Sequence, residues 1–143
     1  INLLPVAQDE KISVILPLPD FKNGPDVANA EDYSIVLATS HGTVRRNALG
    51  DFAAIRSNGL IAMKLGEGEK LIAVKIARND QDLLLVSKMG KAIRFSLDDL
   101  RVFAGRTSTG VRAMKLGDGD DMMSLSVLDG VTASMDERDT YLK

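Results

Sequence analysis

One stretch of this sequence is written twice, and that repeat constrains the fold more than any other feature. The first copy runs Ile35-Val36-Leu37-Ala38-Thr39, Ser40-His41-Gly42, then Thr43-Val44-Arg45-Arg46, with Leu49 and Phe52 beyond. It continues through Asn58-Gly59, Ala62-Met63-Lys64-Leu65-Gly66, an acidic turn Glu67-Gly68-Glu69, and Leu71-Ile72-Ala73-Val74. The second copy runs Leu84-Leu85-Val86-Ser87, Lys88-Met89-Gly90, then Lys91-Ala92-Ile93-Arg94, with Leu97 and Leu100 beyond. It continues through Thr109-Gly110, Ala113-Met114-Lys115-Leu116-Gly117, the acidic turn Asp118-Gly119-Asp120-Asp121, and Met122-Met123-Ser124-Leu125. Gly42 and Gly90 are 48 residues apart, and Gly66 and Gly117 are 51 apart. A period of about 40 to 50 residues is that of a propeller blade, in which four short antiparallel strands form each unit.

Each copy reads as strand, tight turn, return strand, then two more strands. Tyr33 to Thr39 is rich in β-formers, and Gly42 can supply a positive φ in the turn that follows. Leu49 and Phe52, three apart, suggest a single helical turn or a packed loop. Gly59 opens a third strand, Leu60 to Leu65, and the acidic turn leads into a fourth, Leu71 to Ile76. Residues 33–80 and 81–128 are therefore expected to be complete blades. The middle loop of the second copy, Val102 to Thr109, is longer by three residues, as repeat proteins vary a binding edge. Residues 1–19 read as the tail of an earlier blade, since Glu10 to Leu16 echoes Glu69 to Val74. Residues 20–32 read as a surface loop turning at Asn23-Gly24-Pro25. Residues 139–143 read as the start of a further blade. The expected fold is all-β: two complete four-stranded antiparallel blades between partial ones. Two blades do not close a ring, so both ends are expected to expose pairing edges.

The chain has 143 residues, no Cys and no Trp, so the core must be aliphatic and no thiolate metal site or disulfide is possible. No apolar run approaches the ~20 residues that span a bilayer. No secretory leader is visible and the first residue is Ile1, which reads as a piece of something longer. Net charge is −2, yet it is segregated. Between His41 and Leu116 there are 14 cations and seven acids, a net +7, while the flanks carry −9. Such segregation argues either for a polyanionic partner or for solvated strand faces that collected Lys and Arg.

The candidate anion-binding residues are Arg45, Arg46, Lys91 and Arg94, which follow the turn glycines. Arg56 and Arg106 precede the next glycine in each copy, and Lys88 and Arg112 flank the same edges. Phosphate binding needs cations at the reach of a duplex backbone and carries no base information. The alternative is that these residues guard strand edges against pairing. Strict alternation puts Val44 with Arg46, and Ala92 with Arg94, on one face. Either a bulge intervenes or the arginines snorkel from a half-buried face.

Three segments together resemble a known family. Asn2-Leu3-Leu4-Pro5-Val6-Ala7-Gln8-Asp9-Glu10-Lys11-Ile12, Ala38-Thr39-Ser40-His41-Gly42-Thr43-Val44-Arg45-Arg46 and Thr109-Gly110-Val111-Arg112 are similar to the C-terminal β-pinwheel domain of the DNA gyrase A family. The likeness runs through nearly all of the chain. It implies a propeller-like disc whose basic rim wraps double-stranded DNA, and blades that exchange strands with neighbours. It further implies partnership with the rest of gyrase A and with gyrase B, in the bacterial cytoplasm near the nucleoid. ATP and Mg²⁺ would serve the whole enzyme in negative supercoiling, with no cofactor in this piece. The family's basic, glycine-rich box lies in its first blade. No such heptapeptide occurs here, so the chain is expected to begin after it. Tyr33 and Tyr141 match no cleavage tyrosine. The related domain of topoisomerase IV is the alternative relative.

No catalytic set is expected. The acidic turns lack the spacing of a twelve-residue calcium loop. Gly66-x-Gly68 has no third glycine or following helix, so it is no nucleotide fingerprint. His41, the single histidine, reads as a turn residue, and Met63 and Met114 as core fillers. Two functions remain: a DNA-wrapping accessory module, or a propeller-like protein-interaction scaffold whose basic edge is incidental.

Overall fold

The computed structural model describes residues 9–18, 30–54 and 59–142. Among the described residues, seven antiparallel strands and one short α-helix follow in order: β1 (Tyr33–Thr39), β2 (Thr43–Ala48), β3 (Leu71–Arg78), β4 (Asp82–Ser87), β5 (Ala92–Ser96), β6 (Val111–Arg112), β7 (Met122–Leu128) and α1 (Met135–Tyr141). They build a four-stranded sheet in the order β3-β1-β2-β6 and a three-stranded sheet in the order β5-β4-β7.

The strands form where apolar and β-branched residues run between turn residues, and their period of two decides which core each side chain joins. On β1, Val36 and Ala38 face a core shared with the second sheet, alongside Val44, Leu83, Leu85, Leu97, Met114, Met122 and Leu125. Ile35 and Leu37 face the opposite way, into a smaller core with Leu49 and the half-buried Val74 and Ile76. Coverage on both faces explains why β1 reads as a continuous apolar run. In the second sheet Leu83 and Leu85 are fully buried, whereas Leu84 and Val86 between them are only half-buried. The repeat is visible down to its irregularities: register shifts fall at Ala38/Thr39 in the first copy and at Val86/Ser87, the counterpart positions, in the second.

The expected single turn after the return strand is present in both copies, as 3-10 turns at Leu49–Phe52 and Leu97–Asp99. The contiguous four-stranded blades are corrected. The third strand of the second copy is only β6, and it pairs with β2 of the first: Thr43 opposite Arg112 and Val44 opposite Val111. Two glycines make that joint possible. Gly42 has φ 84°, and a Cβ there would stand 2.4 Å from the Met114 carbonyl oxygen. Gly110 has φ 146°, and a Cβ there would stand 2.6 Å from the Val44 carbonyl oxygen. Only glycine lets the two backbones come that close. The first copy's third segment, Leu60 to Leu65, forms no strand; one bond, Lys64 N–H to the Ser108 carbonyl at 3.2 Å, ties it to the second copy.

Two further expectations change. Residues 139–142 do not begin a strand, and residue 143 lies outside the described residues. Met135–Tyr141 is a helix, started by Ser134, whose hydroxyl accepts from the Glu137 N–H while the Glu137 carboxylate accepts from the Ser134 N–H. That Ser-x-x-Glu pattern is a capping box, a signal present in the sequence. Residues 9–18 carry no regular structure, and the rest of the proposed earlier blade lies outside the described residues, as does the turn at Asn23-Gly24-Pro25.

Candidate nucleic-acid interface

The cations that follow Gly42 sit on β2, which is covered on both faces. Charged side chains there must find partners inside the protein. Arg46 is 5% exposed. Its Nε donates to Ser34 Oγ at 3.0 Å, its Nη1 to the carbonyls of Leu97 at 2.8 Å and Leu100 at 3.0 Å, and its Nη2 to Asn79 Oδ1 at 2.9 Å. Asp98 lies 3.4 Å away as a largely exposed counter-ion. No register shift interrupts β1–β2 pairing, so the alternation puzzle is resolved without a bulge there. Arg46 points inward because the 3-10 turn of the second copy supplies carbonyls to receive it.

Arg45, on the other face, is fully buried. It donates through Nε to Asn47 Oδ1 at 2.8 Å and through Nη1 to Ser108 Oγ at 2.9 Å, and it also bonds the Ser108 and Gly105 carbonyls. Its guanidinium lies 4.5 Å from the centroid of the Phe103 ring. Burial first, and then the charge of Arg101, lower its pKa from the ordinary guanidinium value. Arg45 and Arg46 are therefore not rim cations. Their guanidiniums are buried and bonded to hydroxyl, amide and carbonyl oxygens of both copies, which keeps them from the surface a phosphate would approach.

The other candidates divide. Arg56 lies outside the described residues. Arg94 is half-exposed, 2.7 Å from Asp82, with a weaker bond to the Asp129 carbonyl at 3.3 Å. Arg106 is half-buried, donating to the Asp51 carbonyl at 2.8 Å beside the Phe52 ring. Lys88, Lys91 and Arg112 are exposed. Lys91 Nζ donates to the Lys115 main-chain carbonyl at 2.6 Å. Among the described residues, the ion pairs take Arg46, Arg78 and Arg94 and none takes Lys88, Lys91, Arg106 or Arg112. Sequence reasoning omitted Arg101. It is exposed and its guanidinium lies 4.2 Å from the centroid of Phe103, the ring that Arg45 also contacts. The Arg-x-Phe spacing in a lengthened loop was the available signal.

Carboxylates are interspersed with these cations, and the acidic turns explain why. Glu69 bonds Thr39 Oγ1 and accepts from the Gly66 N–H at 2.7 Å, stapling the β1–β2 turn to the turn before β3. Burial works against its charge, but the bonds from Thr39, Gly66 and Thr43 and the nearby His41 outweigh it and hold the carboxyl below its ordinary range. Asp120 repeats the device, accepting from the Met89 N–H at 3.0 Å. Desolvation opposes its charge too, and bonds from Ser87, Met89 and Asp121, then Lys91, lower its pKa.

Fold and surface together define a tandem of propeller-type blades, joined by an exchanged strand, with exposed Lys and Arg at the turns. A family described as "DNA gyrase C-terminal domain, beta-propeller" matches residues 33–78 and 81–129. The chain belongs to that family. It is 48% identical over 145 residues to the A subunit of DNA gyrase from Granulibacter bethesdensis, covering 100% of this chain and 15% of that protein. It is 38% identical over 127 residues to the A subunit of DNA gyrase from Escherichia coli, covering 89% of this chain and 14% of that protein. The chain thus spans a small part of the relatives it matches. Among solved structures, the C-terminal domain of DNA topoisomerase IV superposes with a TM-score of 0.74 at 24% identity, over 90% of this chain and 38% of that one. The DNA gyrase A C-terminal domain superposes with a TM-score of 0.61 at 29% identity, over 68% of this chain and 31% of that one.

Proposed function

We propose that this chain is a DNA-binding and DNA-wrapping module of gyrase A, with no catalysis of its own. In this reading it works with the rest of gyrase A and with gyrase B in the bacterial cytoplasm, at the nucleoid. It supports the negative supercoiling that the whole type II topoisomerase drives with ATP and Mg²⁺. In this reading neither is held by this piece; that Gly66-x-Gly68 leads into β3 rather than a helix supports the part of it that concerns a nucleotide.

The observation that carries the reading is that Lys88, Lys91 and Arg112 are exposed and outside every ion pair of the described residues, in a chain of this family. Such cations bind phosphates without reading bases. Bending a 20–30 bp site by 40–90° costs on the order of 1–6 kcal/mol, so a few contacts give weak binding with little bending. The interspersed acids, with Arg94 held by Asp82, favour a second reading, a propeller-like protein-interaction scaffold.

A salt titration of duplex affinity separates the two. The log–log slope should be about −0.9 per phosphate neutralised. Reversing the charge of Lys88, Lys91 and Arg112 should abolish retention with the fold intact. A flat slope, or retention unchanged by those reversals, removes the DNA reading and leaves the scaffold.

A further inference from the structure

We infer that Arg101 is a further phosphate contact and that Phe103 is the residue that positions it; the inference rests on the DNA reading and deepens it. Arg101 is exposed. Among the described residues it takes part in no hydrogen bond and no ion pair, and its guanidinium lies 4.2 Å from the centroid of the Phe103 ring. Stacking on a ring uses the face of a guanidinium and leaves the N–H groups in its plane free. Those are the groups that bind a phosphate in bidentate fashion. Arg106, on the same loop, differs. It lies 5.8 Å from the Phe52 ring but already donates to the Asp51 carbonyl at 2.8 Å.

The ring is fixed through its own main chain. The Phe103 N–H donates to the Arg46 carbonyl at 2.9 Å, and the Phe103 carbonyl accepts from Asn47 Nδ2 at 2.8 Å. The Arg45 guanidinium lies 4.5 Å from the same centroid. Two guanidiniums thus share one ring, and neither is paired with a carboxylate among the described residues. Like charges this close disfavour one another: after burial, the charge of Arg101 is what lowers the Arg45 pKa. Arg45 is buried and bonded to Asn47, Ser108 and Gly105, so Arg101 carries the positive charge that solvent can reach. An anion arriving from outside relieves the repulsion.

Strand β2 sets where this contact lies. Val102 bridges to Arg46, and Arg112 stands opposite Thr43. Those positions are three residues apart on β2, about 10 Å at roughly 3.3 Å per residue. Three nucleotides of one DNA strand rise by about the same distance, at roughly 3.4 Å each. Thr43 and Arg45 share a face of the sheet by the period of two, and Arg112, directly opposite Thr43, shares it as well. Arg101 and Arg112 therefore stand on one face along one strand, within reach of a single phosphate backbone. An arginine that rotates freely must be ordered when it binds, and one already resting on a ring has less freedom to lose.

Salt titration of duplex DNA affinity on the full chain and its variants tests this. Arg101→Gln should reduce the magnitude of the log–log slope by up to about 0.9, one phosphate's share, with the unfolding midpoint unchanged. Phe103→Leu should weaken binding about two- to fivefold at low salt, and Phe103→Tyr, which keeps the ring face, should restore it. In an Arg101→Gln background, Phe103→Leu should have no further effect on binding, which a merely structural role of the ring does not predict. If Phe103→Leu does not fold, Arg101→Lys replaces it: the charge and the slope remain while the planar stack is lost, so affinity should still fall. A wild-type slope that Arg101→Gln leaves untouched overturns this inference alone, and the DNA reading stands on Lys88, Lys91 and Arg112. A loss from Phe103→Leu that is equal with and without Arg101, or an Arg101→Lys chain that binds as tightly as wild type, overturns the positioning role. A flat wild-type slope removes the DNA reading and this inference with it.

Discussion

Arg46 and Arg94 occupy the same position in the two copies, and their surroundings differ completely. Arg46 is enclosed by Ser34, Asn79 and the 3-10 turn of the following copy, while Arg94 is half-exposed beside Asp82. The residue type and the local strand are shared, so neither decides the role. What decides it is whether a further repeat lies on top. The same holds for Arg45, buried under the Phe103–Ser108 loop, and its counterpart Ile93, which is 38% exposed among the described residues. A cation in a repeat protein is read correctly only together with the unit that follows it.

The largest expected effect tests that contrast directly. Arg46→Ala strands the Leu97 and Leu100 carbonyls and Asn79 in a buried site, and should destabilise the fold by about 3–5 kcal/mol. Arg94→Ala removes a screened, half-exposed pair and should cost less than about 1 kcal/mol. Denaturant titration of both checks this; equal losses would break the comparison. The glycine pair sharpens it. Gly110→Ala combines a left-handed backbone with a contact 2.6 Å from the Val44 carbonyl and should cost about 3 kcal/mol. Gly59→Ala, where a Cβ meets nothing within 4 Å among the described residues, should cost only the strain of its φ of 75°, about 1 kcal/mol.

Much of the fold was legible because it depends on local pattern. Runs such as Tyr33–Thr39 and Asp82–Ser87, the turn glycines and the Leu49/Phe52 spacing all state their structure within a few residues. The exchanged strand was not legible from periodicity. Val111–Arg112 bears the same signal whether it pairs within its own copy or with β2, and the resemblance alone implied exchange. For the interface, Lys88, Lys91 and Arg112 emerged as exposed, but Arg45 and Arg46 did not. Alternation placed Arg46 on the core face, and nothing local revealed that carbonyls 51 and 54 residues away would receive it. Helix α1 was missed although Ser134 and Glu137 spelled its cap.

Nucleic-acid binding gives the next smaller effect. Changing Lys88, Lys91 or Arg112 to Gln should each reduce the magnitude of the salt slope by up to about 0.9, one phosphate's share, without altering the unfolding midpoint. Arg45→Gln should do the reverse, lowering the midpoint and leaving the slope alone. If Arg45→Gln shifts the slope instead, the guanidinium reaches DNA despite its burial, and the division between locked and free cations fails.

The smallest effect compares the two acidic turns. Glu69 and Asp120 both have carboxyls held below their ordinary range by hydrogen bonds to the preceding hairpin. A depressed folded pKa means that the unfolded chain takes up protons first as pH falls. The stabilisation is therefore complete above the unfolded values, about 4.3 for Glu and 3.9 for Asp, and is lost as pH drops through the lower folded values. Glu69→Gln should flatten part of the acid limb of a stability–pH curve while costing a little stability at neutral pH. Asp120→Asn should do so more weakly, since its turn is the more open of the two. Asp120 is bonded by Ser87, Met89 and Asp121 much as Glu69 is bonded by Thr39, Gly66 and Thr43, but the Glu69–Thr39 bond is partly buried whereas the Asp120–Met89 bond is exposed. Acid limbs that change equally in the two variants would show that a covering repeat does not reinforce the turn beneath it.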